Sequence, residues 1–224
     1  MDRYVELEYN DGSDANKTVQ IHQDTSIGVG GCIWDAAIQL TYYLMKQYNT
    51  PHYTSKLSNQ SICALSCGTG LEAIAVACFE NIHNSRFILT DIDQHVKLMQ
   101  HNIDLNKHLI NDTNTISASE YFWGDGTTPL NPTENGKFDI IIIADILYRP
   151  ELYNQLLSSL QSLSRHGTIL YMCNEVRQQV EHPLYMTQFY DKMKQLFNMQ
   201  RIDSTELHSD YQCDTIELYK CRLL

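Results

Sequence analysis

Apolar and polar positions recur along this chain with periods that switch between two and about 3.6, and the switches lay out an element order. Residues 3–9 (RYVELEY) and 17–22 (KTVQIH) alternate around DGSDAN, which predicts a small hairpin with a turn-rich loop. The glycine-bearing approach Ile27 to Ile33 leads into WDAAIQLTYYLMKQY, where Trp34, Ala37, Ile38, Thr41, Leu44 and Met45 fall near helical spacing. Ile62 to Leu65 are apolar or small, as in a strand covered on both faces, and Leu71, Ile74, Ala75 and Cys78 then repeat with the helical period. Arg86 to Thr90 predicts a second strand, His95 to Lys107 a helix and Ile116 to Phe122 a third strand. GTTPLNPTENG reads as a loop by composition.

Phe138 to Ile143 is almost continuously β-branched, the pattern of a strand buried within a parallel sheet. A helix over Glu151 to Ser164, ended by Gly167, a fifth strand over Thr168 to Cys173 and a helix over Leu184 to Phe197 follow. Two last strands, Met199 to Leu207 and Thr215 to Leu223, are joined by a short polar loop without a helix and should pair antiparallel. The order predicts an α/β, Rossmann-like, seven-stranded and mostly parallel sheet with helices on both faces, an antiparallel C-terminal hairpin and a small N-terminal β extension. Residues 1–50 would be the hairpin and helix packed on a core formed by 51–224, together one domain.

Chemistry concentrates where the predicted strands end. Between the first core strand and its helix lie Gly68 and Gly70, which let the backbone turn tightly, and the free N–H groups opening the helix can receive a polar ligand. Asp91 follows about 20 residues later, where a nucleotide-binding βαβ unit places an acid against ribose hydroxyls; the same position suits an ordinary helix cap. Ala144, Asp145 and Tyr148 break the apolar strand at its carboxyl end, on the same predicted edge, and Asn174, Glu175 and Arg177 reach that edge too. Trp123, beside a glycine, could stack on a flat ring. Asn102 and Asn106, four apart, are expected to be solvated.

Composition narrows the function. The formal charge of −11 disfavours nucleic acid and favours a basic protein segment as partner. The charged N-terminus lacks a signal-peptide core and the longest apolar run ends at Asp145, so a soluble intracellular protein away from membranes is expected. Seven cysteines without a CxxC pair read as reduced core thiols, and nine histidines without an HExxH pattern as surface residues; no metal site is expected.

GVGGCIWDAAIQL, LSCGTG, TDIDQHVKLMQHNIDLNKHL, the WG pair and ADILY together resemble the family-16 seven-strand S-adenosylmethionine-dependent protein lysine methyltransferases, over nearly the whole chain. Within that family the similarity is greatest to members acting on valosin-containing protein. The resemblance implies that Trp34 walls S-adenosylmethionine, that Ser66, Cys67 and Gly68 form the turn beneath its methionine part, and that Gly70 opens the helix. It implies Asp91 on the ribose, Trp123 against the adenine, Ala144 near the reactive end, and Asp145 with Tyr148 as a D-x-x-Y motif where the target lysine enters. The implied partner is a protein: a hexameric AAA ATPase (valosin-containing protein), a chaperone or an elongation factor. The enzyme is expected to be monomeric and cytoplasmic, with the nucleus as a second location.

The chain departs from the family's L-E-L-G: CALS puts Ala64 in place of the acid and Ser66 in place of the first glycine, a strained choice if that residue has positive φ. These departures leave a second reading open, a catalytically lapsed partner-binding protein. A third is a methyltransferase for another protein side chain or a small molecule. The absence of an N-P-P-Y motif and the presence of an acid at Asp145 speak against the small-molecule version.

Overall fold

A computed structural model of the chain describes residues 3–9, 17–48, 55–80, 82–124, 130, 136–177, 182–211 and 213–224. Strands β1 (Arg3–Tyr9) and β2 (Lys17–Gln23) form the antiparallel hairpin, and helix α1 (Asp35–Tyr48) follows a glycine-bearing segment with two short 3-10 turns. Then come β3 (Ser61–Leu65), α2 (Leu71–Ala77), β4 (Arg86–Asp91), α3 (Asp93–Asn106) and β5 (Thr115–Glu120). The second half comprises β6 (Phe138–Ala144), α4 (Tyr153–Leu163), β7 (Ser164–Glu175), α5 (His182–Leu196), β8 (Phe197–Arg201) and β9 (Ile216–Leu223).

The seven core strands lie in the order β5-β4-β3-β6-β7-β9-β8, with β5 through β7 parallel and β9 antiparallel to both of its neighbours. The sheet order reverses between β3 and β6, so both strands end beside a crevice at their carboxyl edge. Alternation along each strand sends residues to two layers. Ile62, Ala64, Leu89, Ile140 and Ile142 pack with α1, α2 and α3, while Cys63, Leu65, Ile88, Ile141 and Ile143 pack with α4 and α5. This is the α/β architecture that the periodicity predicts. No helix of the described residues is long and apolar enough to cross a membrane.

Several boundaries differ from expectation for local reasons. Strand β7 begins at Ser164, directly after α4; its register against β6 shifts after Ser164, and Gly167, at φ 96, lies within that irregular stretch rather than between the elements. β8 ends at Arg201, because Asp203 caps a 3-10 turn over Ser204–Glu206 by accepting from the Thr205 N–H. β5 stops at Glu120, and the Tyr121 N–H still donates to the Asp91 carbonyl of β4 at 2.9 Å before the chain leaves the sheet. The expected loop GTTPLNPTENG lies outside the described residues except at Leu130 and Gly136, as does Asp125.

The expectation of solvated asparagines is wrong. Asn102 and Asn106 are fully buried on α3 and take the place of a strand partner for β2. The Asn102 side chain accepts from His22 N–H (2.8 Å) and donates to His22 C=O (3.0 Å); Asn106 does the same for Gln20 (2.9 and 2.7 Å). The match is geometric: four residues of helix rise about 6 Å, close to the roughly 6.8 Å of two strand residues. Asn102 Nδ2 also donates to the Thr69 carbonyl at 2.9 Å, tying the N-terminal hairpin to the glycine turn after β3. All seven cysteines are free; four are buried and Cys213 is exposed.

Candidate functional site

The carboxyl ends of β3, β4 and β6 open into a cleft of about 640 Å³. That lies within the range of small-molecule and cofactor sites. It brings together nine of the ten residues singled out above: Trp34, Ser66, Cys67, Gly68, Asp91, Trp123, Ala144, Asp145 and Tyr148. Gly70 is the exception. It stands at φ 82 at the start of α2, where a Cβ would come within 2.5 Å of Leu89, so it sets the packing of helix on strand beneath the cleft.

The turn after β3 is built on left-handed backbone. Ser66 has φ 56 and Gly68 φ 55, so the strain expected of a serine here is present. The Ser66 side chain has a compensating role, since its hydroxyl accepts from Trp123 Nε1 at 2.8 Å and fixes the indole across the cleft. Gly68 admits no side chain, because a Cβ would lie 2.4 Å from the Gly30 carbonyl. The loop before α1 therefore closes over the turn by direct backbone approach.

Asp91, at the end of β4, is surrounded by donors. Its Oδ2 accepts from Gly68 N–H (2.8 Å) and its Oδ1 from Ile92 N–H (2.8 Å). His95 Nδ1 lies 2.7 Å from the same Oδ1. The carboxylate thus joins the glycine turn to α3, which is more than a helix cap does. His95 is 4 % exposed, contrary to the expectation of surface histidines, and its hydrogen bond to Asp91 raises its pKa above the ordinary value against the opposing effect of burial.

Asp145 ends β6 differently. It is 6 % exposed and holds φ 52, which costs energy for a residue with a Cβ and persists here because both flanks are pinned. Its N–H donates to the Cys173 carbonyl at 2.8 Å, and the next N–H, of Ile146, donates to the Asn174 side chain at 3.1 Å. The Asp145 carboxylate is ion-paired with Arg177, whose guanidinium also lies 5.6 Å from the centre of the Trp34 ring. The alternative of a cap for the helix near Pro150 does not apply, since the side chain turns to Arg177 instead. Tyr148 is 45 % exposed at the rim; desolvation, with Asp91 and Asp145 adding negative charge nearby, raises its phenol, so it stays protonated at neutral pH.

Sequence reasoning missed Glu72, a buried carboxyl lining the cleft from the first turn of α2, and it missed the burial of His95. A helical i, i+4 spacing from the strand-end acid was the available signal for His95. For Glu72 the signal was an acid flanked by Leu71, Ala73 and Ile74 in an otherwise apolar helix.

Comparison with known proteins agrees over most of the chain. The family model described as "Lysine methyltransferase" matches residues 13–195. A mouse relative, "Protein-lysine methyltransferase METTL21E", is 28% identical over 199 residues, covering 85% of this chain and 70% of its own length. The zebrafish (Danio rerio) "Protein N-lysine methyltransferase METTL21A" is 27% identical over 208 residues, covering 92% and 84%. Among solved structures, an O-methyltransferase from Bacillus cereus in complex with SAH has a TM-score of 0.53 at 16% identity, covering 85% of this chain and 87% of that one. P. horikoshii TYW2 in complex with MeSAdo has a TM-score of 0.55 at 16% identity, covering 92% and 68%. At these identities the two structures speak for the fold alone.

Proposed function

This chain belongs to the lysine methyltransferase family, and from that premise we propose that it methylates the side-chain amine of a lysine in a protein, with S-adenosylmethionine as donor and the β3–β4–β6 cleft as its site. The observation that carries the reading is the convergence at one sheet edge of the Gly68 turn, the donor-surrounded Asp91 and the Asp145–Tyr148 pair. The cleft suits the donor: its size admits an adenosine, Asp91 offers acceptor lone pairs, Trp34 and Trp123 offer aromatic faces, and the site retains a buried carboxylate oxygen without a partner. When bound, S-adenosylmethionine supplies an electrophilic methyl on a cationic sulfur.

The residues of this chain perform the remaining tasks. Asp91 orients the ribose side and Trp123, braced by Ser66, covers the ring. A lysine ammonium with pKa near 10.4 must lose its proton, which costs about 4–5 kcal/mol at neutral pH. Asp145 does not assist that loss, because a carboxylate favours the charged amine. Its task is docking: the incoming ammonium exchanges with the Arg177 guanidinium, and the proton passes to water at the open rim. Tyr148, held neutral, lines the lysine channel and accepts a hydrogen bond from the amine. Positioning is the main catalytic contribution.

For the substrate, the net charge of −11 favours a lysine in a basic segment. The hexameric ATPase valosin-containing protein, chaperones and elongation factors are the candidates to try. Incubating purified enzyme, S-adenosylmethionine and each candidate, then reading tryptic peptides by mass spectrometry, should give increments of one methyl on lysine. Bound cofactor with no lysine increment on any candidate would favour the lapsed, partner-binding reading, which Ala64 and Ser66 motivate.

A further inference from the structure

Three carboxylates line the cleft, and their surroundings differ. Asp91 receives Gly68, Ile92 and His95, and Asp145 is paired with Arg177. Glu72, 3 % exposed, has an oxygen, Oε2, buried and without a hydrogen-bond partner. A buried, unpartnered carboxylate oxygen costs several kcal/mol and calls for a donor that the described residues do not provide. Among the described residues no cation contributes to its ionisation, which burial and a backbone hydrogen bond govern. The titratable groups among the described residues that sense its charge are the thiols of Cys67 on the turn and Cys173 on β7, both raised by burial and therefore neutral, and the Gln39 amide of α1 donates to Cys173.

A charged donor, which compensates a buried carboxylate better than the neutral amino and hydroxyl groups of adenosine, sits at one end of the expected ligand. Adenosine is neutral, whereas the methionine part of S-adenosylmethionine ends in an ammonium that offers three N–H groups. We propose that Glu72 is the receptor for that ammonium, so that the acid needed at the methionine end projects from the first turn of α2. This rests on the methyltransferase reading above and deepens it. Burial holds the empty carboxyl up at about 7, and a bound ammonium must lower it; binding then releases protons near neutral pH, and affinity rises with pH across that range.

The test compares two ligands that differ at that end, S-adenosylhomocysteine and 5′-methylthioadenosine, which lacks the amino-acid part. Calorimetry on wild type and Glu72→Gln should show affinity for S-adenosylhomocysteine falling about tenfold or more, with that for methylthioadenosine unchanged. Equal losses for both ligands, or no loss for either, would overturn the assignment. Wild type that binds neither ligand would instead overturn the methyltransferase reading, and the assignment with it. Should Glu72→Gln not fold, wild type decides: titrations in two buffers of different ionisation enthalpy should show proton release with S-adenosylhomocysteine beyond that with methylthioadenosine. Equal release would refute the role. The paired ligands cancel the contribution of His95, which faces Asp91 in either case.

Discussion

Asp91 and Asp145 end parallel strands of one sheet and face one cleft, yet the fold holds them in opposite ways. Asp91 is fixed by two backbone N–H groups and a buried histidine, all within 2.8 Å, and its own φ is ordinary. Asp145 is fixed through its backbone, at φ 52 between hydrogen bonds to Cys173 and Asn174, while its carboxylate is held chiefly by the long side chain of Arg177. A carboxylate held by rigid donors is prepared for a ligand that must sit in one place. A carboxylate held by a flexible cation can exchange that partner for another cation. Under the proposed function, this difference is the one expected between a cofactor-binding acid and a substrate-docking acid.

Substitutions can break this contrast. Asp91→Ala should have the largest effect, abolishing measurable S-adenosylhomocysteine binding in calorimetry and, by leaving buried donors unpaired, lowering stability by about 2–4 kcal/mol in denaturant unfolding. Retained affinity would remove the distinction between the two acids. Asp145→Asn keeps a residue type that tolerates the left-handed backbone, so the fold should survive. Its methylation rate should fall by about 100-fold in a single-turnover assay while cofactor affinity stays unchanged; a parallel loss of affinity would show that Asp145 also belongs to the cofactor end.

Smaller effects sharpen the comparison. Ser66→Ala keeps the positive φ and removes the bond to Trp123, whereas Ser66→Gly removes the bond and relieves the backbone. The alanine variant should be about 1 kcal/mol less stable than the glycine variant, measured by urea unfolding. His95 titrates above its unfolded value because of Asp91, so its contribution to stability is fully present below about pH 6.5 and is lost as pH rises through the raised folded value. The melting-temperature gap between wild type and His95→Gln should therefore be wider near pH 6 than near pH 9. A gap that does not change with pH would mean that the Asp91–His95 contact acts only as a neutral hydrogen bond.

Much of this cleft is legible in the chain because it is made of strand ends. Ile140 to Ile143 carries the pattern of a strand buried on both faces, and an acid just past such a run, after Ala144, is expected at the sheet edge. The same reasoning reaches Asp91 and the turn at Gly68. It fails for Asn102 and Asn106, whose partners lie about 80 residues away on β2: polar side chains on a helix look the same in sequence whether water or a strand receives them. It fails for His95 too, because burial on that face of α3 depends on the Gly30 loop, whose Cα hydrogens pack against the ring.

The sequence by itself determined the element order, the parallel core, the strand-end acids and the family, since periodicity and local motifs are properties of neighbouring residues. Only the tertiary structure decided which polar groups are satisfied. It gave Asp91 its three donors and Asp145 its arginine, and it left one oxygen of Glu72 bare in the cleft. Hydrogen-bond satisfaction in a buried site is a balance among segments far apart in the chain, and it exists only once they have been brought together.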